Sequence, residues 1–175
     1  MTGRIIALAE YAAATGAAGI LFTCSAFGEA IEAAAARVPI PVLKPNEAMF
    51  EAALAAGQRI GMLATFAPSV ASMEQEFRAM AETHRSPATI ETYCVPEAMA
   101  ALKAGDAATH NRLLAQSVGR FGECDAVLLA HFSTARAAPS VSAALDRPVL
   151  TSPGSAVAKL KSIIPGQGAP AMSRI

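Results

Sequence analysis

A chain of 175 residues with 14 Lys+Arg, 14 Asp+Glu and a pI near 6.8 carries no electrostatic footprint for nucleic acid or an anionic membrane surface. Its 53% hydrophobic and 16% charged residues exclude intrinsic disorder and supply a buried core. Ala alone fills 42 positions and Trp is absent, so helices are expected to pack closely through small side chains.

Residues 4–17 place Ile5, Leu8, Ala9 and Ala12 on one helical face, and the apolar run from Gly19 has strand length. The alternation continues with a helix over 28–37, a strand at 40–43, a helix over 46–57, a strand at 59–65, a helix over 68–83 and a strand at 88–94. A helical stretch over 96–121, broken at Gly105, leads to a strand at 125–131, a helix near 135–145, a strand at 148–150 and a helix from Pro153 to Ile164. Strands alternating with helices predict an α/β fold with parallel sheets. The absence of a basic segment followed by an apolar one gives no sign of a secretory leader, and a cytoplasmic location is expected. Cys24, Cys94 and Cys124 are odd in number and lack C-x-x-C spacing, which argues against a disulfide framework or a metal site.

GILFTCSAF from Gly19 lies over AVLLAHFST from Ala126 at an offset of 107 residues, and the same offset lays Pro41-Val42-Leu43 over Pro148-Val149-Leu150 without a gap. Two matches at one offset predict two pseudo-symmetric lobes: a partial first lobe over 1–57, a second over 58–164, and a C-terminal tail over 165–175. The counterparts of strands 59–65 and 88–94 would fall before Met1, so the first lobe is expected to be incomplete, with an exposed sheet flank that favours a homo-oligomer. If the lobes face each other, Cys24 and His131 stand at equivalent strand ends, the edge where ligands bind in parallel sheets.

Cys24 precedes a helix opening at Gly28, in surroundings that stabilise a thiolate, although a cysteine at a strand end is also an ordinary packing residue. His131 interrupts an apolar strand and belongs to the residue type best suited to proton transfer near neutral pH; a core histidine bound to a carbonyl is the plainer alternative. Ser25, Thr65, Ser69 and Ser133 collect at the same strand ends, where hydroxyls either hold a carboxylate or cap helices. Thr151, Ser152 and Ser155 read as caps, Cys94 as core, Cys124 as structural, and His84 and His110 as solvated helix surface. No glycine-rich phosphate loop follows any strand, so no nucleotide cofactor is suggested.

From ILFTCSAFG through IPVLKPNEA and RIGMLATFAPSV to DAVLLAHFS and RPVLTSPG, the chain resembles the Asp/Glu racemase superfamily, which includes aspartate, glutamate and hydantoin racemases, maleate isomerases and arylmalonate decarboxylases. The resemblance implies a cofactor-independent enzyme of two α/β lobes, acting by proton transfer at the carbon alpha to a carboxylate or carbonyl of a small carboxylate-bearing or hydantoin-like substrate. Cys24-Ser25-Ala26 stands at the family's first-lobe cysteine motif, and Ala64-Thr65 to Ser69 resembles its second-lobe substrate loop. The chain departs from the family where His131-Phe132-Ser133 occupies the second cysteine motif. Racemase-like or isomerase-like chemistry with Cys24 and His131 as the catalytic pair is the first expectation. An arylmalonate-decarboxylase-like enzyme and a non-catalytic carboxylate-binding domain are the alternatives.

Overall fold

The computed structural model describes residues 1–24 and 27–164. Helices α1 (Thr2–Ala14), α2 (Gly28–Ala35) and α3 (Glu47–Ala56) alternate with short strands β1 (Ile20–Leu21) and β2 (Val42–Leu43). Then follow β3 (Arg59–Ala64), α4 (Val70–Thr83), β4 (Thr89–Cys94), α5 (Pro96–Lys103) and α6 (Ala107–Ser117). Next come β5 (Ala126–Leu129), α7 (Ala138–Ser142), β6 (Val149–Thr151) and α8 (Ser152–Ile163). The break foreseen at Gly105 separates α5 from α6: Gly105 takes φ +84°, open to a residue without Cβ, and Asp106 accepts the Thr109 N–H at 2.9 Å to cap α6. The helix expected near 135–145 is instead a 3₁₀ turn over Phe132–Ala137 followed by the short α7.

The chain divides into two compact units, one formed by Met1–Ala48 with the segment from Ser155, the other by Met49–Gly154. These limits fall inside α3 and α8. In the first unit, Ile5 and Ala9 of α1 meet Ala30, Ile31 and Ala34 of α2, with Ile20 and Val42 packed against them. Ala at positions 9, 30 and 34 lets the two helices approach closely, as the composition implied. Ala156 of α8 joins Leu43 and Ala48 in a second cluster of this unit, where Lys159 also pairs with Glu47 at 2.9 Å.

The second unit holds a four-stranded parallel sheet in the order β4-β3-β5-β6. From Ile60 onward β3 is buried on both faces because helices pack above and below it. Its side chains alternate: Ile60, Met62 and Ala64 face Phe50, Met73 and Phe77, whereas Leu63 faces Ala98, Leu114 and Val141. Phe50 and Phe77 meet edge to face, 5.6 Å apart, a geometry that contributes about 0.5–1.5 kcal/mol beyond area burial. At the strands' N-terminal edge, the Asp125 carboxylate accepts the backbone N–H groups of Gln58 (2.7 Å) and Arg59 (2.8 Å), tying β5 to β3. A Cβ at Gly57 would fall 2.4 Å from the Asp125 side chain, so this turn requires glycine.

The repeat is visible in the hydrogen bonding. Ile20 pairs with Val42 and Leu21 with Leu43, and 107 residues on Val127 pairs with Val149 and Leu128 with Leu150. The lead-in bonds match as well: Ile20 N–H donates to Pro41 O at 2.8 Å, and Val127 N–H donates to Pro148 O at 2.9 Å. Among the described residues no helix is long and apolar enough to cross a membrane.

Candidate functional site

β3 and β5 are adjacent, so their C-terminal ends emerge side by side, with the Ala130 N–H still donating to Leu63 O at 2.9 Å. Beyond β3 the chain runs through Thr65 and Phe66 into a 3₁₀ turn over Ala67–Ser69, where Pro68 suits the first positions of a helical turn. This loop brings Ser69 Oγ to 2.7 Å from His131 Nε2. Two predicted site residues, 62 positions apart in the chain, therefore form one contact because their strands are neighbours.

Ser69 Oγ also lies 2.9 Å from the Phe66 carbonyl. The hydroxyl has one proton and two possible acceptors, so its orientation follows the imidazole. When Nε2 carries no proton, Ser69 can donate to the ring. When Nε2 is protonated, Ser69 accepts from it and donates to Phe66 O. Burial pushes the His131 pKa down, with the Ala130 carbonyl opposing that shift, so the neutral ring is favoured.

His131 has φ +72° and ψ 150°, a backbone conformation that glycine adopts freely and a Cβ-bearing residue does not. Strain of this kind costs on the order of 1–3 kcal/mol and concentrates at functional sites. Two buried polar atoms at this edge have no protein partner, His131 Nδ1 and the Oγ1 of Thr65, a residue only 2% exposed. A buried hydroxyl left unpaired is costly, and a ligand oxygen would satisfy it.

Ser133 is exposed on the 3₁₀ turn that follows His131. Cys24 belongs to the first unit and is exposed just past β1, four residues ahead of α2. Ser25 lies outside the described residues. Thr151 caps α8 by accepting the Gly154 N–H at 3.1 Å, as its position implied. Burial pushes the Cys94 thiol up and the nearby Glu97 adds to this, consistent with a packing role. Buried Cys124 lies 3.5 Å from the Arg147 guanidinium at the opposite strand edge.

His110 corrects the reading of it as solvated surface: it is fully buried, its Nδ1 2.9 Å from Asn111 Oδ1. It shares a helix face with buried Leu114, and that i, i+4 relation was the available signal. Thr134, one of the strand-end hydroxyls that follow His131 in the sequence, is also fully buried, directly beneath the His131 turn. Among the described residues no group of three or more His, Cys, Asp and Glu is placed to hold a metal ion.

Parallel α/β units with a paired serine and histidine at the C-terminal strand edge define a class of strand-end sites suited to acid–base chemistry. Residues 3–160 match the Asp/Glu/hydantoin racemase family, and the chain belongs to it. A mutant arylmalonate decarboxylase in its sulfate-associated form superposes with a TM-score of 0.72 at 19% identity, covering 96% of this chain and 76% of that one. A glutamate racemase from Bacillus anthracis gives a TM-score of 0.63 at 14% identity, covering 96% and 67%. One from Francisella tularensis, in complex with D-glutamate, gives 0.63 at 13%, covering 93% and 64%. At these identities the likeness is one of fold. No curated protein matches the chain by sequence.

Proposed function

We propose that this protein catalyses racemase-like or isomerase-like proton transfer, without a cofactor, at the carbon alpha to a carboxylate or carbonyl of a small carboxylate-bearing or hydantoin-like substrate. Family membership supports the reaction class. The observation that carries the site assignment is the Ser69–His131 contact at 2.7 Å beside two buried polar atoms with no protein partner. In this reading His131 and Cys24 are the catalytic acid–base pair, and Thr65, Ser69, Ser133 and Ser25 bind the carboxylate.

The chemistry follows from the protonation states. A ring kept neutral by burial begins as a base. The ring begins with its Nε2–H donating to the Ser69 hydroxyl, whose own proton goes to Phe66 O. The Cα–H bond breaks, its proton goes to the free Nδ1, and its electron pair moves into the carboxylate as an enediolate; the Ser69 contact stabilises the imidazolium that forms. In this reading the Thr65 hydroxyl, buried without a hydrogen-bond partner, donates to the developing oxyanion, and such a donor is most effective in a water-poor site. The Cys24 thiol returns a proton to the carbon, leaving a thiolate, and solvent exchange resets both groups. The reverse direction exchanges the two roles.

A second reading is favoured by the asymmetry of the repeat, which places a thiol at one strand end and an imidazole at the other. Decarboxylation of an aryl-substituted malonate with protonation by Cys24 alone requires only the thiol. The test is NMR of a panel of amino acids, hydantoins and aryl-substituted diacids in D₂O. Racemisation with α-deuterium incorporation in the wild type, with Cys24→Ala losing racemisation while still exchanging a single enantiomer, supports the first reading. Loss of CO₂ that survives His131→Ala supports the second. Ligand-induced thermal stabilisation without turnover, unchanged in Cys24→Ala, would point to a binding domain and contradict both.

A further inference from the structure

We propose that Thr134 is a positioning residue for His131: its buried hydroxyl ties together the two carbonyls that bracket the histidine and holds the left-handed backbone from which the ring reaches Ser69. The inference rests on the role assigned to His131 above.

Threonine in a helix commonly bonds back to a carbonyl three or four residues earlier, with little consequence beyond the helix itself. Here the preceding segment is not helical. Thr134 Oγ1 donates to Ala130 O and lies 2.8 Å from His131 O, so its single proton sits between carbonyls on either side of a residue at φ +72°. Ala130 is itself fixed to the sheet, because its N–H donates to Leu63 O at 2.9 Å. The hydroxyl thus links the end of β5 to the 3₁₀ turn over Phe132–Ala137, across the one position where the backbone would otherwise relax. Thr134 is fully buried, so water cannot stand in for this link.

The geometry has an electrostatic consequence. The Ala130 carbonyl is the group that opposes the effect of burial on the imidazole. A hydroxyl donating to that oxygen draws down its negative potential. Without the hydroxyl, both the freed carbonyl and a relaxed, better-solvated ring favour the protonated imidazole.

The test is a pH titration of the His131 ring by ¹H–¹⁵N NMR, with the signal assigned by its loss in His131→Ala, in the wild type and in Thr134→Val, Thr134→Ala and Thr134→Ser. Val keeps the shape without the hydroxyl. Ser and Ala both lack the methyl and differ only in the hydroxyl. In Val and Ala the His131 midpoint is expected to move up, the acid limb of the exchange rate to move with it, and kcat to fall about a hundredfold with KM little changed, as misplacement of a reacting group does. Ser is expected to restore all three. A folded Val or Ala variant with lower melting temperature but wild-type midpoint and acid limb would overturn the proposal and leave Thr134 a packing residue. Should Val fail to fold, the Ser–Ala pair gives the same answer. Should no substrate exchange in the wild type, the catalytic reading has failed while the ring titration still decides what Thr134 does.

Discussion

The strand pairs β1–β2 and β5–β6 share one register 107 residues apart but end in different chemistry. The first leads to Cys24, exposed and outside the left-handed region; the second leads to His131, half-buried, at φ +72° and bonded to Ser69. The contrast teaches that a repeat sets where a strand ends, whereas neighbours decide what the residue there can do. β5 has β3 beside it, and the loop after β3 supplies Ser69 and Thr65. An exposed thiol suits direct proton exchange with solvent, and a half-buried ring requires a partner that follows its protonation.

The comparison can be broken most sharply at the ring. His131→Ala is expected to lower racemisation by about a hundredfold or more, the range for loss of a general acid–base group, as read by polarimetry. Because burial lowers the His131 pKa, the base is retained to more acid pH than in a solvent-exposed histidine. The acid limb of kcat/KM should therefore lie below about 6.5, the ordinary value, and a limb at or above it would contradict the assignment. Ser69→Ala should cost about tenfold in kcat and move that limb, since the ring loses the hydroxyl that accepts from protonated Nε2.

A smaller effect separates backbone from side chain. His131→Gly should be more stable than His131→Ala by about 1 kcal/mol in urea unfolding, reversing the usual order, because only glycine accepts φ +72° without strain. The smallest expected effect lies at the opposite strand edge. The Arg59 and then the Gln58 N–H hold the Asp125 pKa below its ordinary value, with Arg59 and Arg147 charges adding to this. A carboxylate depressed in the folded state stabilises above its unfolded pKa, near 3.9, and that stability is lost as pH falls through the folded value. Asp125→Asn should flatten the acid side of the stability profile while leaving His131 chemistry untouched. A change in the racemisation limb would show the two edges to be coupled.

Much of the fold was legible because local signals agreed. Apolar strands alternate with alanine-rich helices, Gly105 stands where a left-handed turn is needed, and the identical Pro-Val-Leu triplets exposed the repeat that the pairing register reproduces. Candidate site residues could be named, since hydroxyls and a histidine in otherwise apolar strand ends are conspicuous. The Ser69–His131 contact was not legible, because it depends on β3 and β5 being neighbours, which a linear pattern does not state. The link from Thr134 to the two carbonyls around His131 was not legible either, because it depends on the backbone turn at His131. His110 misled because Asp106 and Arg112 flank it, although its face is the one that carries Leu114 inward.

The measurement that bears most directly on the pairing of Cys24 with His131 is enantiomer-resolved α-deuterium wash-in, with Cys24→Ala and His131→Ala each given one enantiomer at a time. Complementary bases predict that each variant loses racemisation yet still exchanges the one enantiomer whose proton the surviving group removes, with opposite preferences in the two variants. Equal loss of exchange for both enantiomers in both variants, or wild-type racemisation in either, would contradict the account.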